Sequence, residues 1–227
     1  MNESIIDYSG YFQFPGLTAL FTKKSYPFSP PEDRIELTKI AGFSSDRLVI
    51  PKQTHTNHVH VVDKPAFLPD TDGVITNKRN LILSIQVADC IPVFIADKST
   101  QTIGLIHAGW RGVTNGIILE TLNKLESLGT NFDNTHVLLG PSIRKCCFEV
   151  KEDVLNHFPT EYRNTDDQGR YWIDLQSMVV DQLIGRGILG KKIFDVQQCT
   201  KCKNDQFHSY RQEGVSAGRM VGLMAIN

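Results

Sequence analysis

Three apolar runs follow one another in the middle of the chain: LILSIQV at residues 81–87, IPVFIAD at 91–97 and TIGLIHA at 102–108. Each is short, rich in Ile or Val and bounded by polar or turn residues. Apolar runs of this length without polar alternation suit strands buried on both faces. Whatever fold forms must therefore cover the central sheet from two sides. The third run also ends differently from the others. It stops at His107, and AGWRG follows. A strand that delivers an imidazole and then a guanidinium into a glycine-flanked turn is placed for chemistry, if other groups meet it there.

The flanking segments read as a mixture of strands and helices. Residues 10–22 suggest a strand, a turn and a second strand, and the polar, Pro-rich stretch KKSYPFSPPEDR suggests a loop. A short helix is expected from Glu32 to Ala41, started by Ser29 or the Pro30-Pro31 pair. RLVIPKQTHTNHVHVVDK reads as two strands broken around Thr54 to His58, and Asp72-Gly73 is a turn signal. Residues 114–128 form a helix in this reading. Ile117, Ile118, Leu122, Leu125 and Leu128 make one apolar stripe, and Gly129 caps its end. HVLLGPSI returns as a strand and KEDVLNHF is a short helix. DLQSMVVDQLIGRGI is a longer helix, with Leu175, Met178, Val179, Leu183 and Ile188 on one side. KIFDVQQC is a late strand and GRMVGLMAI closes the sheet. No repeat, low-complexity tract or linker divides the chain, so residues 1–227 are expected to form a single α/β or α+β domain.

Composition narrows the function classes. The formal net charge is −1, which supports no broad electrostatic grip on nucleic acid or an anionic membrane. No apolar run is long enough to span a bilayer. The opening residues lack the pattern of a signal peptide, so a cytoplasmic location is expected. Five Cys without a secretory signal favour reduced thiols or metal ligands over a disulfide framework.

The chemistry-bearing residues lie at strand ends. QTHTNHV carries His55 and His58, VADCIPV carries Asp89 and Cys90, and LIHAGWRG carries His107. A His–Cys–His set is a plausible zinc shell with a fourth position left open for water or substrate. The bland alternatives are a core cysteine at 90, and a polar edge-strand face for His55, His58 and His60. Near the C-terminus, Cys199 and Cys202 form a C-x-x-C. With Cys146 and Cys147 they could make a four-thiolate zinc site. Adjacent cysteines rarely ligate one ion comfortably, however, so buried or loop thiols are the expectation. GVSAG matches a nucleophile elbow in form only, because no His follows Ser216. A P-loop, G-x-G-x-x-G, H-E-x-x-H and the zinc nucleobase deaminase signature are all absent.

Together, QTHTNHV, VADCIPVFIAD, IHAGWRG, LLGPSIRKCCFEV and CTKCKNDQFHSYRQEGVSAGRM resemble the laccase-domain family of the YfiH type. That family was once described as multicopper polyphenol oxidoreductases and is now regarded as purine nucleoside phosphorylases. The resemblance runs from about Ile50 to the C-terminus. It implies a single α+β domain of packed mixed sheets flanked by helices. It implies a zinc site at His55, Cys90 and His107, with copper possible and His58 outside the ligand set. It implies phosphorolysis of adenosine, inosine, guanosine and methylthioadenosine, and deamination of adenosine. The partners are then a purine nucleoside and phosphate. Arg111 would point back at an anion beside the metal, and Gly109 and Gly112 would let the backbone turn. Asp89 would orient a His or shuttle a proton, and Arg211 would line the pocket.

One segment departs from the family pattern. Members usually carry a Gly-rich F-T-x-R-x-G-G-V-S segment followed by an Asn-Arg pair, where this chain reads FTKKSYPFSPPEDRIELTKIAG. A more open or differently shaped pocket is the expected consequence. Three other readings compete. One is a copper-dependent polyphenol oxidase, for which seven His are too few. Another is a hydrolase of a cell-wall precursor peptide with Cys90 as nucleophile and His107 as base. The third is a binding module that holds a structural metal.

Overall fold

The computed structural model describes residues 3–227. In chain order the elements are β1 (Ile5–Asp7), β2 (Leu17–Thr22), α1 (Glu32–Ile40), β3 (Leu48–Pro51), β4 (Val59–Val61), β5 (Ala66–Leu68) and β6 (Gly73–Thr76). The three apolar runs become β7 (Ile82–Val87), β8 (Ile91–Asp97) and β9 (Thr102–Ala108). Then come α2 (Trp110–Thr114), α3 (Ile117–Ser127), β10 (Thr135–Leu139), β11 (Glu149–Val150), α4 (Glu152–Leu155), β12 (Arg163–Thr165) and β13 (Tyr171–Ile173). The chain ends with α5 (Leu175–Gly185), β14 (Ile193–Asp195), α6 (Tyr210–Glu213) and β15 (Met220–Ile226).

The strands form two mixed six-stranded sheets, β1-β2-β15-β7-β3-β5 and β14-β10-β8-β9-β6-β4, and a small sheet β11-β13-β12. The expected α+β class holds. Burial on both faces of the central strands comes from four layers. Leu83 and Ile85 of β7 meet Phe94 of β8 and Leu105 of β9 in the core between the large sheets. The alternate residues Val93, Ile95 and Ile106 face outward, onto Ile118 and Leu122 of α3 and Val179 and Leu183 of α5. On the far side, Ile82, Leu223 and Ala225 pack under Leu37 of α1. Each apolar run thus feeds two cores, which explains its lack of polar alternation.

Two local expectations are corrected. The first strand is Ile5–Asp7, and residues 9–12 form a 3₁₀ turn that ends with Gln13 in the left-handed region. Phe12 and Phe14 are both buried in the core on either side of this turn. The helix expected from 114 begins at Ile117 instead, after Gly116 at φ +86° breaks it from α2. The segment after His107 is therefore not only a turn but the short helix α2.

Candidate active site

Three links end at one edge of the sandwich. The β3–β4 link crosses between the large sheets and carries His55. The β7–β8 link also crosses and carries Asp89 and Cys90. Strand β9 delivers His107 just before α2. Ladder register does the rest. Ile91 pairs with Ala108, so Cys90 arrives beside the end of β9. Gly73 pairs with Ile106, so Asp72 arrives beside His107, whose N–H donates to the Asp72 carbonyl at 2.7 Å. One ligand atom each from His55, Cys90 and His107 lies within 4.8 Å of the others. His58 lies outside this group, with its ring on Asp70. His60 sits exposed on β4, an edge strand, as the bland reading had it.

Asp72, which the sequence showed only as a turn signal, organises the cluster. It is fully buried. Its Oδ1 accepts from His107 Nδ1 at 2.7 Å and from the His55 N–H at 3.1 Å. Its Oδ2 accepts from the N–H of Thr54 and from the N–H and hydroxyl of Thr56. A carboxylate accepts only, so His107 carries its proton on Nδ1 and turns Nε2 toward the cluster. The same carboxylate holds the 54–56 turn, in which His55 sits at φ +64°. A non-glycine residue costs energy in that region, and the hydrogen bonds to Asp72 offset it.

The charges follow from this packing. Burial raises a thiol pKa, but the charge and hydrogen bond of His107, helped by His55, override it and bring Cys90 to about 6. Burial lowers an imidazole, but Cys90 and Asp72 override it and bring His107 to about 9. Burial would also raise Asp72; the bonds from His107 and Thr56 pull it down to about 2. The metal-free chain therefore holds a thiolate against an imidazolium. Two imidazoles and a thiolate, with one ring oriented by a carboxylate, are a donor set that fits a borderline divalent ion.

The glycines serve close approach more than turning. Gly109 has an ordinary backbone conformation, yet a Cβ there would sit 3.0 Å from His55 Cδ2 and 3.2 Å from Cys90 Sγ. A Cβ on Gly112 would lie 2.7 Å from the Thr56 carbonyl oxygen. Only bare backbone lets α2 sit against the ligands. Arg111 then projects from α2 with its guanidinium 4.3 Å from the Trp110 ring, and among the described residues it has no carboxylate partner.

Asp89 does not orient a histidine. Its carboxylate accepts from the Thr200 hydroxyl at 2.6 Å and from the Arg211 N–H at 2.7 Å. It fastens the C-terminal loop, and the His-orienting role belongs to Asp72. Arg211 in turn donates to the carbonyl of Glu149 at 2.7 Å.

A cleft of about 770 Å³ opens over the cluster. Cys90, His55 and His107 lie in it with Arg111, Arg211, Arg34, Arg219 and Lys52, and Trp110, Phe148 and Tyr210 supply aromatic surface. A chain of net charge near zero thus places five of its 24 Lys and Arg around one cleft, an arrangement suited to anions. Arg34 was not singled out in the sequence. It comes from the segment that departs from the family pattern: α1 carries it into the cleft, where its guanidinium donates to Gln53 at 3.3 Å. That segment lines the site after all. The structure also brings the four remaining cysteines together, as the four-thiolate alternative to buried or loop thiols would require.

Fold and site together define a class: a helix-covered double sheet with a three-donor cluster able to hold a metal at one edge, beneath an arginine-rich cleft. The chain belongs to the family described as multi-copper polyphenol oxidoreductase laccase, whose model matches residues 31–227 and so reaches further toward the N-terminus than the motifs did. It is 34% identical over 206 residues to a purine nucleoside phosphorylase of Corynebacterium glutamicum, covering 87% of this chain and 82% of that one. It is 29% identical over 203 residues to an adenosine deaminase from an unknown prokaryotic organism, covering 82% of this chain and 78% of that one. The crystal structure of the hypothetical protein YfiH of Bacillus licheniformis superposes with a TM-score of 0.90 at 26% identity, over 99% of this chain and 97% of that one. YlmD from Geobacillus stearothermophilus gives 0.87 at 24% identity, over 94% and 93%. The chain is thus a member of an enzyme family. Among the described residues no helix is long and apolar enough to cross a membrane.

Proposed function

We propose that this chain is a zinc-dependent purine nucleoside phosphorylase that also deaminates adenosine. Adenosine, inosine, guanosine and methylthioadenosine are its substrates in this reading. One observation carries it: a two-imidazole, one-thiolate cluster opens into a cleft whose walls combine cationic side chains with aromatic surface. His55, Cys90 and His107 would hold the ion. When bound, zinc supplies a Lewis acid and lowers the pKa of water. Arg111 is placed to take phosphate oxygens with its planar fork, and it needs to break no ion pair to do so. Arg211, fixed by Asp89 and the Glu149 carbonyl, offers a second positive charge in the same cleft. These groups would hold phosphate in line with the ribose carbon that loses its purine, and positive charge would steady the developing negative charge. Trp110, Phe148 and Tyr210 give flat surface for a base.

A second reading has its own support. Asp72, His107 and Cys90 also make a carboxylate–imidazole–thiolate line of the kind that drives thiol hydrolysis. His55 is superfluous to that line and useful to a metal. The copper oxidase reading is weaker. Among the described residues the other metal-capable group is four thiols with no histidine, which leaves no His-rich centre for oxygen chemistry.

Metal content and turnover of inosine with phosphate, on wild type and Cys90→Ala, test the proposal. It expects phosphate-dependent hypoxanthine release that requires zinc and is lost in the variant. Activity that persists without metal but dies on thiol alkylation would favour the hydrolase.

A further inference from the structure

We infer that Cys146, Cys147, Cys199 and Cys202 form a second metal site, a four-thiolate structural zinc centre that pins the C-terminal loop to the loop before β11. It shares no residue with the cluster at His55, Cys90 and His107 and does not depend on the proposed activity.

The four sulfurs all lie within 4.8 Å of one another. Cys202 Sγ is 3.6 Å from Cys146 Sγ and 3.4 Å from Cys147 Sγ. A tetrahedral zinc with bonds of about 2.3 Å has ligand sulfurs about 3.8 Å apart, so little movement would close the shell. Adjacent cysteines are awkward on a strand, where their side chains point to opposite faces. Here they ride a turn, in which the Cys147 and Phe148 N–H groups both donate to the Arg144 carbonyl. That turn brings both sulfurs to one side. The C-x-x-C pair rides a second turn, closed by Lys203 N–H on the Cys199 carbonyl.

The backbone N–H groups of Arg144 and Cys202 both face the Cys199 sulfur. Four thiolates leave a zinc centre with a net charge of about −2. Lys201 and Lys203 flank the C-x-x-C pair in the chain and bring positive charge near it, whereas Arg144 and Lys145 are held by Asp195 and Asp174. The two turns are also held together from within, because Ser142 bridges Cys199 and accepts from the Thr200 N–H at 3.1 Å. An ion would complete a junction that the backbone has begun.

The junction also borders the cleft. The segment after Cys202 carries Arg211, whose guanidinium donates to the Glu149 carbonyl just beyond Cys147. The second zinc would thus hold Arg211 in place without touching substrate.

The test counts zinc. Protein stripped with chelator, reloaded with zinc alone and desalted is measured by mass spectrometry. Wild type should hold two equivalents per chain, and Cys202→Ser one. Cys202 is exposed, so this change empties no core. His107→Ala should also hold one, and X-ray absorption should show sulfur alone around it. Equal zinc content in wild type and Cys202→Ser, or a disulfide from Cys202 to Cys146 or Cys147 in the reloaded protein, would overturn the inference. Failure of the nucleoside reaction would leave the count unchanged, so the two proposals fail separately.

Discussion

Asp72→Asn probes the cluster without changing its shape. The wild-type carboxylate accepts five hydrogen bonds: two on Oδ1, from His55 and His107, and three on Oδ2, from Thr54 and Thr56. An amide keeps one acceptor oxygen and gains a donor. If its nitrogen takes the Oδ2 position, it faces the N–H groups of Thr54 and Thr56. Each buried N–H left without an acceptor costs about 1–3 kcal/mol. If the nitrogen takes the Oδ1 position, His107 must offer a bare Nδ1, and its proton moves to Nε2, the atom that would bind the ion. Either choice harms the site. Loss of a group that orients a metal ligand weakens metal binding roughly 10- to 100-fold. Zinc affinity by competition with a chromophoric chelator should fall by that factor, and thermal stability of the metal-free protein should fall by about 2–4 kcal/mol. Asp70→Asn is the control, because Asp70 is exposed and serves His58. Wild-type zinc affinity in Asp72→Asn, within a factor of three or so, would refute the orienting role.

Other consequences follow from the same geometry. Gly112→Ala should destabilise by about 1–3 kcal/mol in a denaturant titration, because its Cβ has only backbone to push against. Gly109→Ala should instead weaken zinc binding, since its Cβ crowds His55 and Cys90. Arg111→Ala should lower kcat/KM for phosphate roughly 10- to 100-fold, with Lys restoring only part of it; an unchanged value would remove Arg111 from the anion site. Metal-free protein should be alkylated at Cys90 with a midpoint at a pH of about 6, well below that of an ordinary thiol, and zinc should protect it. Glu213 ties Asn204, Lys24 and His208 together, and despite burial those bonds depress it from 4.5 to about 2. Its contribution is present above pH 4.5 and lost as pH falls toward 2. It is at most about 3 kcal/mol, and partial exposure reduces that to about 1–2. The stability gap between wild type and Glu213→Gln should therefore shrink below pH 4.5.

The parts of this protein that were legible in its sequence are those that use local pattern. The runs at 81–87, 91–97 and 102–108 announced strands buried twice over, and the stripe from Ile117 to Leu125 announced α3. The cluster of His55, Cys90 and His107 was legible through the family motifs around them, because their spacing alone says nothing. Asp72 was hidden: Asp-Gly reads as a turn, and only the Gly73–Ile106 register reveals that the carboxylate faces His107. Arg34 was hidden in the same way, on a helix of weak amphipathicity in the segment that departs from the family pattern. The reason for Gly109 was also misread, since its constraint is a neighbour from another link rather than its own torsion. Long-range register and interlocking loops decide these features, and neither leaves a local trace.

The central claim is that one bound ion at His55, Cys90 and His107 makes this cleft a phosphorylase. The direct measurement is a zinc titration of chelator-stripped Cys202→Ser, the variant expected to hold a single ion. Hypoxanthine release from inosine is followed with and without phosphate. The account predicts no release without zinc or without phosphate, and a rate that rises linearly to one equivalent of zinc and then stays flat. Release that is indifferent to zinc, or equal in phosphate-free buffer, would contradict it.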